Sequence, residues 1–373
     1  MRLRERIAVF LPNWVGDAVM ATPALRCLRG RFRDDRIIFV GKPAVLETLA
    51  GAGLNDQTIT DLSASGPRLA NFLRAAKELR QARVSLALLL PNSFRSAVLA
   101  RCGGARQVAG YSRDGRGWLL TQRLSPPRDD RGRFRPVSMI DYYNDLVRLL
   151  GVEASSRTMG LAVTADGEAR AEEILARAGR DPLRPLVMLN PGAAFGPSKM
   201  WEPDRYAAAA DALIERCGAQ IVVNCAPAER RIAAVAAGLM RRPPLIDLAQ
   251  EQNSVTLLKS LLRRCRLLIT NDTGARHVAA AFGVGLVTIF GSTDPQWSEI
   301  HYDRERICRV EVRCSPCQSK LCLQPAGPMY QQCTSAVTVE MVLAAAEELL
   351  HAPAWAAAAG AAARSAVTAE AGP

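Results

Sequence analysis

Residues 267–277 read Leu-Leu-Ile-Thr-Asn-Asp-Thr-Gly-Ala-Arg-His, a stretch whose types and spacing suit binding of an anion. A short apolar run stops at the polar turn Asn271-Asp272-Thr273-Gly274, and an alanine-rich amphipathic segment follows over 278–282, which predicts strand, tight turn and helix. Small turn residues let backbone N–H groups approach a ligand. A helix start adds unpaired donors and the positive end of the helix dipole, so such a corner binds phosphate or diphosphate. Asp272 and Thr273 are equally the residue types that cap helices in any protein, and the two readings stand side by side. His277, one turn into the helix, could donate to a diphosphate or serve only in packing. A second turn, from Pro191-Gly192-Ala193 to Lys199-Met200-Trp201, also follows a strand and offers Lys199 as a point charge for phosphate. It lacks the Gly-Lys-Ser/Thr of a Walker A loop, and no strand is followed by G-x-G-x-x-G, which argues against a dinucleotide enzyme. Glu229, just after an apolar run ending at Asn224, could take a ribose hydroxyl or merely favour the first turn of a helix.

The first half carries its own candidates. Asp17 closes the turn Pro12-Asn13-Trp14-Val15-Gly16-Asp17 after the apolar run 7–11, where a carboxylate can act as a general base or as a helix cap. Pro91-Asn92-Ser93-Phe94-Arg95-Ser96 again sets polar groups where a strand gives way to a helix. Near the C-terminus, Cys314-x2-Cys317-x4-Cys322-x10-Cys333 contains one pair at metal-ligand spacing but no second C-x2-C of a zinc ribbon. A structural zinc, reduced thiols and a labile disulfide are the alternatives for Cys314, Cys317, Cys322 and Cys333.

These residues need a scaffold, and hydrophobic patterning supplies one. Buried-strand runs at 7–11, 37–40 and 84–90 alternate with helical segments at 24–29 and 69–79. After a change of pattern the alternation resumes, with strands at 186–190, 221–224, 245–248 and 286–290, and helices at 168–178, 228–239 and 255–263. Two doubly wound α/β domains in tandem follow, 1–160 and 161–351, with ligand sites expected off the carboxyl ends of the strands. Residues 101–136 are crowded with arginine, Arg116 among them, and broken by Gly and Pro, so they read as long basic loops. Residues 352–373 are rich in Ala and Gly and read as a disordered tail.

The net charge of +12 calls for an anionic partner. Nucleic acid is disfavoured, because aromatics are only 5% of residues and do not interleave with the arginines. No apolar run reaches the length of a membrane span, and the first is too short for a signal peptide, so the chain is expected in the cytosol.

Taken together, in order, these turns resemble glycosyltransferase family 9, the heptosyltransferases. The resembling segments are the turn ending at Asp17, residues 91–96, residues 190–193 with Lys199-Met200-Trp201, Asn271-Asp272-Thr273-Gly274 with His277, and Phe290-Gly291-Ser292-Thr293. The resemblance implies a GT-B fold, two Rossmann-like domains with a central cleft, and an inverting, metal-independent transfer. It implies Asp17 as the catalytic base and Lys199, Asp272, Thr273, Gly274 and His277 on the nucleotide diphosphate. Glu229 is implied on the nucleoside, and Asn13, Asn92 and Arg95 on the acceptor side. It further implies an ADP-heptose donor and the anionic lipopolysaccharide core as acceptor, with the enzyme cytoplasmic or peripheral on the inner membrane. No cofactor is implied for catalysis. Ala275-Arg276 departs from the family pattern, which implies a donor pocket of altered shape. A transferase of the same fold using another nucleotide sugar is the alternative.

Overall fold

The computed structural model describes residues 5–62 and 66–352. By their internal contacts they form two compact units: residues up to Thr164 together with Pro295–His301, and Ala165–Asp294 together with the segment from Tyr302 onward. The return of Pro295–His301 to the first unit is fastened by the Ser138 hydroxyl, which donates to the Glu299 carbonyl at 2.8 Å. The Ala-rich tail, apart from Ala352, lies outside the described residues.

The first unit is a six-stranded parallel sheet of β1 (Arg6–Phe10), β2 (Arg36–Gly41), β3 (Gln57–Thr60), β4 (Leu86–Leu89), β5 (Gln107–Tyr111) and β6 (Gln122–Leu124), in the order β3-β2-β1-β4-β5-β6. The second repeats the design with β7 (Leu186–Asn190), β8 (Gln220–Val223), β9 (Ile246–Asp247), β10 (Leu267–Asn271), β11 (Gly285–Ile289) and β12 (Glu305–Cys308), in the order β12-β11-β10-β7-β8-β9. Counted within its own unit, each sheet runs 3-2-1-4-5-6, with a topological switch point between its first and fourth strands.

The central strands are continuous apolar runs because helices cover both faces. One face of the first sheet packs Ala8, Phe10, Ile38, Val40, Ala87 and Leu89 against Ala75, Ala76 and Leu79 of the helix Arg68–Gln81 and Ala97, Leu99 and Ala100 of the helix Phe94–Cys102. One face of the second packs Val187, Leu189, Ile221, Val223, Ile269 and Val287 against the helices Pro203–Cys217, Arg230–Leu239 and Val339–His351. Each fully buried Val, Leu or Ile contributes about 1.5–3 kcal/mol. A charge at a position such as Ile269, fully buried in a central strand, would therefore disrupt the sheet that carries the second site.

Three local differences from the sequence reading stand out. The basic stretch 101–136 is not all loop: it contributes β5, a short 3-10 turn Gly117–Leu119, and the edge strand β6. The turn after β1 runs directly into the helix Val15–Met20, six residues long and too short to show a period. Thr22-Pro23 reads in the sequence as an N-cap followed by proline at the first helical position, yet Thr22 is itself helical and its hydroxyl donates back to the Val19 carbonyl at 2.7 Å.

Candidate functional site

The switch point of the second sheet lies where β7 and β10 run side by side, with Thr270 opposite Asn190. Beyond that point sit the two loops that carry Lys199 and Asp272. The Lys199 ammonium donates to the Asp272 carboxylate at 2.5 Å and to the Asp272 carbonyl at 3.2 Å, and both side chains are about nine-tenths buried. Thr293, from the loop after β11, donates to the same carboxylate oxygen at 3.2 Å, and Arg276 lies 3.8 Å from the other oxygen. Burial alone would raise the Asp272 pKa. The charges of Lys199 and Arg276 and the Lys199 hydrogen bond outweigh it and hold the carboxyl below its usual range.

Thr273 occupies the N-cap position of the helix Gly274–Ala281, yet its side chain makes no capping bond. Its hydroxyl is engaged by Thr270 at 3.0 Å and accepts from Asn190 at 3.3 Å. Elsewhere Ser93, Ser254 and Thr338, in the same position, accept from the backbone of the first turn. The helix at the switch point therefore keeps its N-terminal dipole unmet by a cap side chain, the condition for holding an anion. Behind Thr273 a buried amide chain fixes the corner. Asn253 donates to Asn224 at 3.0 Å, Asn224 to Asn190 at 2.6 Å, and Asn190 to Thr270 at 3.2 Å. Asn271 donates to the carbonyls of Pro191 and Gly192 and accepts from the Trp201 backbone, tying the Lys199 loop to β10.

His277 is buried in the same corner. Burial, then the Arg276 charge, lower its pKa to about 3, so its imidazole is neutral at physiological pH. Its Nδ1 has no hydrogen-bond partner among the described residues. Arg276, the departure from the family pattern, borders the corner beside the Asp272 carboxylate. Its guanidinium pairs in bidentate fashion with Glu305 of β12, at 2.6 and 2.7 Å, and is buried over the Phe290 ring.

Glu229 joins this side of the sheet through Gly192. Its carboxylate accepts from the Ala226 N–H at 3.1 Å, the helix-start role open in the sequence, and burial raises its pKa. A Cβ placed on Gly192 would lie 2.3 Å from that carboxylate, so only glycine lets Glu229 reach the loop after β7.

In the first unit, Asp17 stands in the first turn of Val15–Met20, directly after β1, where the helix dipole favours its charge. It borders Tyr143: burial first, then the Asp17 charge, push that phenol well above its usual range. Asn13 and Arg95 line one cleft of about 510 Å³, together with Trp14, Lys42, Asp61, Arg68 and Ser93. Asn92 turns aside and accepts from the Tyr142 hydroxyl at 3.0 Å. Arg95 is committed to Asp61 through two bonds of 2.7 and 3.2 Å, which leaves Lys42 and Arg68 as the cations of this cleft without an ion-pair partner among the described residues. Arg116 is corrected from solvated loop to core. Fully buried, it donates to the carbonyls of Tyr111, Pro91 and Ser93 and to Ser96, pinning the loop that bears Asn92, and burial lowers its pKa to about 10. Its burial had no signal in the sequence, because its neighbours are solvent-facing arginines. Asn224, a polar residue closing an apolar strand, did carry one.

Cys314, Cys317, Cys322 and Cys333 are free thiols lining one small pocket of about 80 Å³. Yet among the described residues no three Cys, His, Asp or Glu side chains are disposed to hold a metal ion. What the segment does visibly is brace the Lys199 loop. Ser198 N–H donates to the Lys320 carbonyl at 3.2 Å and Gln331 to the Pro197 carbonyl at 2.9 Å. Gly196, at φ +154°, brings its backbone so close to Lys320 that a Cβ would lie 2.4 Å from that carbonyl oxygen.

The model of glycosyltransferase family 9 (heptosyltransferase) matches residues 72–326. The chain belongs to this family. The family 9 match includes the Lys199–Asp272 corner and Cys314, Cys317 and Cys322, but begins after Asp17 and ends before Cys333. A lipooligosaccharide heptosyltransferase 2 of Campylobacter jejuni is 24% identical over 358 residues, covering 92% of this chain and 98% of its own length. Among solved structures, a family 9 glycosyltransferase of Veillonella parvula superposes with a TM-score of 0.78 at 23% identity, covering 94% of this chain and 98% of its own. The ADP-heptose LPS heptosyltransferase II of Escherichia coli superposes with a TM-score of 0.73 at 23% identity, covering 92% and 98%. The two parallel six-stranded sheets with flanking helices are thus those of the GT-B class.

Proposed function

We propose that this family 9 glycosyltransferase transfers heptose from ADP-heptose to a heptose of the lipopolysaccharide inner core, with inversion at the anomeric carbon. The observation that carries the donor half is the uncapped helix start beside buried Lys199 and neutral His277 at the switch point of the second sheet. Relatives named heptosyltransferase 2 support the sugar and the acceptor.

In this reading Lys199 and the backbone of Thr273 and Gly274 neutralise the diphosphate. Asp272, an ionised acceptor-only group, orients Lys199 and takes a sugar hydroxyl rather than a phosphate oxygen, because two anions would repel. His277 donates one N–H as a neutral group, and Glu229 accepts from the nucleoside. Asp17 removes the acceptor proton, the acceptor oxygen attacks the anomeric carbon, and the bond to the ADP oxygen breaks with its charge met by Lys199. Lys42 and Arg68, beside Asn13, Asn92 and Arg95, suit a phosphorylated, anionic acceptor. The transfer needs no cofactor. A structural zinc at the four cysteines would require their sulfurs to turn onto one point, and elemental analysis of the purified chain checks it.

The chain should add one heptose to a heptose-bearing core acceptor and release ADP, read by mass spectrometry of the product. No mass gain with ADP-heptose, but gain with a different nucleotide sugar, would move the assignment to another donor. Among the described residues no helix is long and apolar enough to cross a membrane. A peripheral seat at the cytoplasmic face of the inner membrane is part of the same proposal.

A further inference from the structure

The helix Arg68–Gln81 carries an apolar stripe of which only the C-terminal half is buried. Ala75, Ala76 and Leu79 are buried against the first sheet. Leu69 and Leu73, one turn apart at its N-terminal end, continue that stripe beyond the buried contact and are 71% and 58% exposed. Arg68, Arg74, Lys77 and Arg80 surround them, all exposed, with Glu78 the single acidic side chain of the helix. The apolar surface continues across the neighbouring helix Phe94–Cys102, which packs on this one. Phe72 lies under the Arg95 guanidinium, and Phe94 is half exposed, its ring 6.3 Å from that of Trp118. Trp118 itself is 73% exposed. Arg68 and Arg95 also line the first-unit cleft, so the patch adjoins that cleft.

Leucine and tryptophan ringed by arginine and lysine are the composition that settles at a bilayer's headgroup boundary, apolar side chains among the acyl ends and cations on anionic lipid. A second copy of this chain fits less well. A two-fold contact sets the same patch against itself and would bring the four cations of one helix against those of the other.

We infer that Leu69, Leu73 and Trp118, with the cations of the helix Arg68–Gln81, form the surface by which the chain seats on an anionic lipid bilayer, bringing the first-unit cleft to a membrane-embedded acceptor. This rests on the peripheral part of the proposed function and gives it a place on the molecule.

The test is flotation of the full chain with vesicles of phosphatidylcholine alone or with about a third phosphatidylglycerol, a fraction chosen to mimic an anionic leaflet. Binding is expected only with the anionic lipid and should fall with added salt. Leu69→Asp/Leu73→Asp and Trp118→Ala should each lower the bound fraction about tenfold or more. Leu183→Asp, at an exposed leucine of the second unit, should not. All these side chains are exposed, so melting temperatures should hold. Transfer to a soluble, lipid-free acceptor should be unchanged in the variants, while transfer to acceptor embedded in anionic vesicles drops. Three results would overturn the inference: equal binding to neutral vesicles, unaltered binding by the Leu69/Leu73 variant, or a concentration-dependent dimer that this variant abolishes. Wild-type chain that ignores all vesicles yet transfers heptose to soluble acceptor would overturn it too, leaving the transferase assignment intact.

Discussion

The two switch points are built on one topology and do opposite things with charge. At the end of β7 and β10, positive charge faces the corner: Lys199 points at it, the helix start lacks a cap side chain, and the Asp272 carboxyl is held below its usual range by its neighbours, with Glu229 reaching the loop after β7. At the end of β1 and β4, the strands place a carboxylate, Asp17, in the first helical turn. Two of the nearby cations are spoken for, Arg95 by Asp61 and Arg116 by backbone carbonyls, while Lys42 and Arg68 stay at the cleft. The strand order 3-2-1-4-5-6 thus fixes where ligands bind and leaves open which ligand. The proposed function puts a negative leaving group at the first of these corners, and a hydroxyl that must lose a proton at the second.

The sharpest way to break this contrast is Asp17→Asn, which keeps size and hydrogen bonding but cannot take a proton. Transfer should fall by roughly 10²–10⁴ while ADP affinity stays near wild type. Near wild-type turnover would reduce Asp17 to a favourable charge at a helix start and move the base elsewhere.

Lys199→Ala probes the other corner. It should weaken ADP binding by about 1.5–3 kcal/mol in calorimetry, the range for hydrogen bonds to charged groups. Asp272 would lose its closest cation, so the variant should also melt earlier. An unchanged ADP affinity in a folded variant would remove Lys199 from the donor site.

How much of this was readable beforehand differs between the corners for physical reasons. The Lys199–Asp272 corner announces itself locally: an apolar run, a turn of small polar residues and an alanine-rich helix follow one another over residues 267–282, and Lys199 follows a similar turn. Strand–helix alternation made both sheets legible for the same reason, since burial on two faces writes continuous apolar runs. What stayed hidden depends on contacts distant in sequence. Arg116 is indistinguishable from the solvated arginines around it until its guanidinium meets Pro91 and Ser93. β6 and β12 are edge strands with half-exposed, polar sequences that carry no strand period. Nothing near Arg276 in the sequence announces its partner, Glu305, twenty-nine residues on, with which it forms a buried pair. Cysteine spacing does not reveal that their segment braces the Lys199 loop, through the Lys320 carbonyl and the Gln331 side-chain amide.

The smallest effect expected concerns His277, and it separates the corners by pH. A buried imidazole with a pKa near 3 in the folded chain, against an ordinary value of 6.5, binds its proton more weakly folded than unfolded. Between these two values the unfolded state holds a proton that the folded state does not, so stability falls as pH is lowered from 6.5 towards 3. At pH 5 the loss from this one group is about 2 kcal/mol, at 1.36 kcal/mol per unit. Asp272 adds to the slope lower down. Its carboxyl is held below the usual range, so its contribution is intact above the unfolded carboxylate pKa and is lost as pH falls through the folded one. Chemical denaturation of wild type and His277→Gln at pH 7 and pH 5 isolates the histidine. Glutamine does not titrate, so the variant should lose less stability than wild type over that interval by about the 2 kcal/mol given above. Equal losses in the two chains would mean that His277 is solvated or paired in solution, and the case for a neutral donor beside the diphosphate would go with it.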